Sequence, residues 1–403
     1  MGPIDGTAGI SGNPVVDESL LDDLKALEAS DPSGMLRHIA SAGPQVREAM
    51  ILTAEANLNG LGEEGRPRAV VVAGVGTAAR AGDLLSTVAG ARCPVPILGY
   101  RSAGIPGWVG AADVVIAVSA SGRSPEALAA AEAAARRGAR LVAIGAPDSQ
   151  LQSVAERARA PFVPVPRRAP ARASLWALTV PVLLAARTLG LIRIAEADLA
   201  ETATRLDADA ERCKPANESF VNPAKALALE IAHSIPIVWG SSPLATVAAR
   251  RAADMLSTNA RYPVVGGSLG EAGRGAVGLL DGVYGGLAEG VRDIFADPED
   301  QPEGTRLRVL LLRDGGLTSG DGEEAVGTES SAAEDRRADA IEELATRRGV
   351  RCSVLRAEGA SPLERLASLI AVPDFASVYL ALAHGLDPTA VPAVTEMKEF
   401  TRR

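Results

Sequence analysis

Two short segments bring together residues that could hold an anion. The first, Ser119-Ala120-Ser121-Gly122-Arg123-Ser124, puts three hydroxyls within six residues, behind the apolar run Asp113–Val118 and ahead of a helical stretch opened by Pro125. Hydroxyls at a strand end and helix start can converge on one phosphate while first-turn N–H groups complete the cradle. Serine is also a favoured N-cap, so the same residues would serve an ordinary helix start. The second segment, Gly74-Val75-Gly76-Thr77-Ala78-Ala79, again lies between an apolar run and a helical one. Its small residues let backbone N–H groups approach a phosphate, and its spacing matches the dinucleotide fingerprint. A dinucleotide site also wants an acid at the end of the next strand, where this chain reads Ile97-Leu98-Gly99-Tyr100-Arg101. Together the loops point to one phosphate, and no cofactor is expected.

The elements that must carry these loops are legible as short Val/Ile-rich runs separated by Ala-rich stretches of helical length. Ala69–Gly74, Val95–Gly99, Asp113–Val118, Arg140–Ile144 and Phe162–Val165 read as strands, after a helical Glu18–Asn59. Continuous apolar runs alternating with helices mark a parallel sheet covered on both faces. Leu175–Ile192 reaches membrane length, but Pro181 and Arg187 interrupt it, so it reads as a buried helix. The second half repeats the theme: strands Ile235–Trp239, Leu307–Leu312 and Arg351–Leu355 alternate with helices Pro243–Thr258, Ala332–Gly349 and Pro362–Leu386. Residues 193–225 read as a helical linker, and the acidic, Gly/Ser-rich 314–331 as a mobile loop. Ligands in such sheets sit at the carboxyl ends of the strands.

Composition excludes several function classes. The 403 residues are 47% hydrophobic and 23% charged, which fits neither wholesale disorder nor a polytopic membrane protein. A net charge of −9 with no basic stripe argues against a nucleic-acid partner. Three scattered cysteines give neither a disulfide framework nor a metal spacing, and a cytoplasmic location is expected. Aromatic residues are only 3%, so the cores must be built from small aliphatic side chains. Only four of 41 basic residues are lysines (Lys25, Lys214, Lys225 and Lys398), so a position that stays Lys carries some information.

The Ser119–Ser124 pattern, with its strand and helix, resembles the sugar isomerase (SIS) domain. The wider chain resembles the bifunctional phosphoglucose/phosphomannose isomerases, dimers with two such domains in each chain. Supporting segments are Ala81-Gly82-Asp83-Leu84-Leu85, Pro106-Gly107-Trp108-Val109, Asn222-Pro223-Ala224-Lys225 and Asp387-Pro388, in that order. The resemblance implies an α/β protein of two SIS-type domains, each a parallel sheet flanked by helices in a flavodoxin-like three-layer sandwich. The boundaries expected are a leader at 1–34, a first domain at 35–192, the linker at 193–225 and a second domain at 226–403. It implies a homodimer that binds a phosphorylated sugar, with Gly76, Thr77, Ser119, Ser121, Ser124 and Arg172 holding the phosphate of a hexose 6-phosphate. It also gives Lys398 an active-site place on a C-terminal helix.

The catalytic pattern departs from the family. Aldose–ketose isomerisation needs a base to move a proton between C1 and C2, and donors for the enediolate oxygens. The resemblance implies a glutamate and, sixteen residues later, a histidine; here those positions read Thr258 and Arg274. Thr258 is no base near neutral pH and Arg274 cannot exchange protons, although it could bind an anion. Glu271, in the Gly-rich stretch before Arg274, is the substitute base on this reading, with Lys398 and His384 assisting. Asp254 is a weaker candidate. Two functions stay open: a hexose-phosphate isomerase, and a sugar-phosphate binding or regulatory protein that has lost catalysis.

Overall fold

A computed structural model describes residues 16–291, 305–315 and 325–400. Helices α1 (Leu24–Ser30), α2 (Met35–Ala40), α3 (Ala42–Glu55) and α4 (Gly60–Glu63) precede the first sheet. The continuous helix expected over Glu18–Asn59 is thus broken, with Gly34 in the left-handed region (φ 68°) between α1 and α2. The sheet then builds through β1 (Val70–Ala73), α5 (Thr77–Ala89), β2 (Ile97–Tyr100), β3 (Val114–Ser119), α6 (Pro125–Arg136), β4 (Arg140–Gly145), α7 (Gln150–Ala158) and β5 (Phe162–Pro164). Its order is β2-β1-β3-β4-β5, all parallel. Every residue of β1 and β3 is buried, as a strand covered on both faces requires. Five alanines form the buried face of α6, which is how a chain with few aromatics brings its helices close to the sheet.

Helices α8 (Leu175–Thr188) and α9 (Glu196–Arg212) lead to the second half. It contains α10 (Pro223–Ile231), β6 (Ser234–Gly240), α11 (Pro243–Asn259), β7 (Val265–Ser268), α12 (Leu269–Ala272), β8 (Arg306–Arg313), α13 (Ala325–Arg347), β9 (Arg351–Arg356), α14 (Pro362–Ala383) and α15 (Pro392–Phe400). The second sheet is also parallel, with order β7-β6-β8-β9. β7 escaped the sequence reading because Gly266 and Gly267 read as a turn; pairing with β6 overrides that local preference. Of the loop expected at 314–331, residues 316–324 lie outside the described residues, and from Ala325 onward the backbone is helical. The helix read at Leu175–Ile192 is α8, ending at Thr188, with ten buried residues. The 22-residue α14 is long and apolar enough to cross a membrane, yet 94% of its apolar window is buried in the protein, against α9, α10 and α11. Residues 193–225 do not simply connect the halves, because α9 packs on both α3 and α14.

Three contacts fix how the halves meet. Arg80, in the first turn of α5, reaches Asp254 near the end of α11. Arg251 of α11 donates to the carbonyl of Arg172, just before α8, and Arg172 donates to the carbonyls of Pro388 and Thr389. A helix following a parallel strand runs antiparallel to it, so α5 and α8 begin at the carboxyl edge of the first sheet. By the same rule α11 and α14 end at the amino edge of the second. The carboxyl edge of one sheet therefore faces the amino edge of the other.

The buried pair Arg251–Asp374 anchors this joint: Nη2 lies 2.8 Å from Oδ2 and Nε 3.1 Å from Oδ1. Burial pushes the Asp374 carboxyl above its ordinary pKa, and Arg251 opposes the shift. Arg251→Met strands a buried carboxylate and is expected to cost about 3–5 kcal/mol. Urea unfolding at neutral pH should show this loss, and Arg251→Met with Asp374→Leu should recover most of it; a single variant as stable as wild type refutes the anchoring role.

Candidate functional site

At the carboxyl edge of the first sheet the two loops lie side by side, because β1 and β3 are hydrogen-bonded neighbours. Gly76 caps α5 with φ 59° and ψ −130°, a conformation that suits glycine, and offers no side chain to the first-turn N–H groups. Ser124 caps α6, but its hydroxyl donates to the Glu126 carboxylate (2.7 Å), so this helix start also lacks a side-chain cap. By contrast α7, α10, α11 and α14 are each capped by a side chain, from Ser149, Asn222, Ser242 and Ser361. Two uncapped helix starts on adjacent strands aim N–H groups and positive dipole ends at one place.

The serine loop is shaped locally. Gly122 has φ 64°, and a Cβ there would come within 2.1 Å of Ser149 Oγ, so the turn demands glycine. Ser119 is buried, and its Oγ accepts from the Ser124 N–H (3.4 Å). Ser121 is exposed at the tip and accepts from the Arg123 N–H (3.2 Å). Thr77 is half-buried at the start of α5.

Across the joint stand residues from the second half. Thr258 is half-buried on the last turn of α11, one turn beyond Asp254. Asp254 is held in a bidentate pair with Arg80 (2.6 and 3.0 Å), and Arg80 also meets Asp83, which Arg101 contacts from the other side. A carboxylate so neutralised is a poor base. Tyr262 Oη lies 2.6 Å from His384 Nε2, and the backbone N–H of His233 also bonds to Tyr262. The Tyr262 hydroxyl thus engages Nε2, as donor or acceptor according to the tautomer of the ring. Burial, and secondarily His233, holds the His384 pKa below its ordinary value, so the ring is neutral.

Arg172 does not open toward the serine loop. Its Nη2 donates to Pro388 O and Thr389 O, both at 2.6 Å, while Nε is buried without a partner. Burial lowers its pKa; Asp387 opposes this, while Arg251 and Arg261 add to it. Three arginines near one another make the joint attractive to an anion.

Glu271 and Arg274 stand elsewhere. Both are exposed, on α12 and the turn after it, beyond the carboxyl end of β7. At about 3.3 Å per residue, the seven residues of β6 separate the two edges of the second sheet by roughly 20 Å. Within one chain the substitute base therefore does not join the serine loop. Lys398 is exposed on α15. Sequence reading missed Arg80, Arg251, Arg261 and Tyr262; the only local signal was that Arg80 sits inside the helix opened by the Gly-rich loop.

Residues 220–400 match the family profile described as the bacterial phospho-glucose isomerase C-terminal SIS domain. Over 331 residues the chain is 28% identical to a bifunctional phosphoglucose/phosphomannose isomerase from Caldicellulosiruptor bescii, covering 82% of this chain and 88% of that one. The chain is thus similar to the bacterial phosphoglucose/phosphomannose isomerases, with the C-terminal SIS domain matched in its second half. Solved structures share the fold of this chain at low identity. A hypothetical protein from Thermus thermophilus superposes with a TM-score of 0.70 at 16% identity, covering 95% of this chain and 94% of that one. A glucose-6-phosphate isomerase like protein from the same organism gives 0.53 at 18%, covering 94% and 98%. Glucosamine-6-phosphate deaminase from Thermotoga maritima gives 0.54 at 14%, covering 89% and 97%.

The depressed His384 pKa has a measurable consequence. Above the ordinary histidine value of about 6.5 the ring is neutral, folded or unfolded. As pH falls below it, the unfolded chain takes up the proton first, so stability declines until the folded ring also titrates. Replacing His384 by Gln should flatten that part of the stability–pH curve in thermal melts; an unchanged slope would show that His384 is not its source.

Proposed function

We propose that this chain binds a hexose 6-phosphate at the joint and that its reaction is aldose–ketose isomerisation between glucose or mannose 6-phosphate and fructose 6-phosphate. The observation that carries the proposal is the pair of uncapped helix starts at Gly76 and Ser124, with Thr77, Ser119 and Ser121 beside them. A phosphate monoester fits this cradle, because N–H groups, hydroxyls and two helix dipoles stabilise the dianion without a buried cation. With the phosphate there, the sugar extends toward Thr258, His384 and Arg172, and Lys398 of α15 supplies positive charge for the enediolate. The place of action we infer is the cytoplasm.

Glu271 and Arg274 enter this reading through a homodimer. They lie too far from the serine loop of their own chain, so a second copy would bring them to it. The neighbouring Ala276–Val291 segment exposes Leu279, Val283, Tyr284 and Leu287, apolar surface suited to a subunit contact. Light scattering after gel filtration should give twice the chain mass, and Val283→Asp with Tyr284→Asp should give one; a wild-type monomer removes this part of the proposal.

A second reading, a sugar-phosphate binding protein without catalysis, is favoured by the disposition of the acid–base groups. Thr258 is no base, Asp254 is ion-paired, and His384 Nε2 is already hydrogen-bonded to Tyr262. Each missing acid–base group costs roughly 10²- to 10⁴-fold in rate.

One assay separates the readings. Purified protein is incubated with each of the three sugar phosphates, following interconversion and thermal shift together. Turnover that Glu271→Gln abolishes supports the isomerase with Glu271 as base. Stabilisation without turnover supports the binding protein, and no stabilisation by any of the three refutes both. Ser121→Ala should weaken affinity about ten-fold in either case, as expected for one hydrogen bond to a charged group.

A further inference from the structure

The C-terminal helix α15 contains no buried residue. Nine residues are too few for a helix to persist alone in water, so its side-chain contacts and its root both count. What its root is tied to therefore matters.

That root is the strap 387–390, and its carbonyls converge on two guanidinium groups. Arg172 Nη2 takes the inner pair, Pro388 O and Thr389 O, each at 2.6 Å. Arg261 Nη2 takes the outer pair, Asp387 O at 3.1 Å and Ala390 O at 2.6 Å. The Asp387 carboxylate turns inward and accepts the Thr389 N–H (2.7 Å). Four successive carbonyls are thus satisfied by one arginine from each half of the protein. Arg261 has φ 57°, a left-handed conformation that a non-glycine residue holds only when its surroundings enforce it. Next to it, Tyr262 meets His384 three residues before the strap. On the other side, the backbone carbonyl of Arg172 is gripped by Arg251, which Asp374 orients.

We propose that Arg172 and Arg261 are positioning residues that seat the strap and with it the root of α15, the helix that carries Lys398, so that this root is in place only when the two halves stand at this spacing. The link to chemistry rests on the proposed role of Lys398; the seating of α15 does not. A movement of one half relative to the other pulls one arginine off its pair of carbonyls while the other keeps hold. Arginine suits the task, since each guanidinium spans two carbonyls, stays charged at any physiological pH, and is weakly enough hydrated to be half-buried.

Hydrogen exchange of the full chain without ligand tests the seating directly. In Arg261→Ala, amides of 391–400 should exchange at least ten-fold faster while peptides covering β1 and β3 are unchanged. Arg261→Lys, which keeps a cationic donor, should restore most of the protection. If the alanine variant does not fold, Arg261→Gln is scored on the same peptide. Unchanged exchange over 391–400, or a lysine that protects no better than alanine, overturns the proposal. The link to Lys398 is read on turnover, or on fructose 6-phosphate affinity if the chain binds without turning over. Arg261→Ala should lose as much as Lys398→Ala, and the two together no more than either alone. An additive loss breaks the link. If Lys398→Ala has no effect, the assigned role of Lys398 fails, and exchange still decides whether the arginines seat the helix.

Discussion

Arg251 and Asp374 lie where three elements from both halves of the chain converge. The guanidinium joins α11 to α14 and reaches the backbone before α8 in the first half. Each sheet has its own apolar layers, but a joint lined by alanines and leucines offers little against sliding. A charge-assisted, two-pronged bond has one good geometry, so this pair sets the register in which the two sheet edges face each other. The serine loop, the Thr258 turn and the strap behind His384 are brought together by that register and by no local sequence feature.

This constraint sorts the candidate residues by chemistry. Groups able to bind an anion gather at the joint, namely the two uncapped helix starts and the hydroxyls, whereas Arg172 and Arg261 are committed to the strap carbonyls and Arg251 to Asp374. Groups able to exchange a proton are spoken for or absent. Asp254 is ion-paired with Arg80, His384 Nε2 is engaged by Tyr262, and Glu271 lies at the far edge of the second sheet. On the proposed reading one chain holds the groups for binding, whereas proton transfer needs either a second copy or a hydrogen bond to be given up.

Much of this was legible beforehand, for a physical reason. Strands β1, β3 and β4 are buried on both faces, so their apolar runs show without any partner being known. The phosphate loops are local, with hydroxyls and glycines adjacent in sequence. Arg80 with Asp254, Arg251 with Asp374, and Arg261 with the strap are pairings across more than a hundred residues, and an arginine-rich chain gives no sign of which arginines are chosen. The scarcity of lysine was informative in an unexpected way. Lys225 is fully buried, donating to Pro215 O and Asn217 O and pairing with Asp22 above the ring of Tyr379. Its specific role is structural, so scarcity marks a constrained position without saying that the constraint is chemical.

The two halves share a strand order, and their differences bear on why the proposed site lies in the first. In the first, the helix starts after β1 and β3 have no side-chain cap, the Ser124 hydroxyl turning instead to the Glu126 carboxylate. In the second, the corresponding loops follow β6 and β8, and there Ser242 caps α11. Its hydroxyl donates to Asp314 Oδ2 at 2.9 Å, while Arg365 Nε holds Oδ1 at 2.7 Å. A carboxylate of the chain itself thus stands where an anion would have stood in the first half, with a cation already paired to it. A bound phosphate would have to displace that carboxylate and leave it unpaired beside Glu334, whose own pKa is raised by burial and by Asp314. On the proposed reading, an external dianion is therefore received at the joint, with the sugar directed across to the second half.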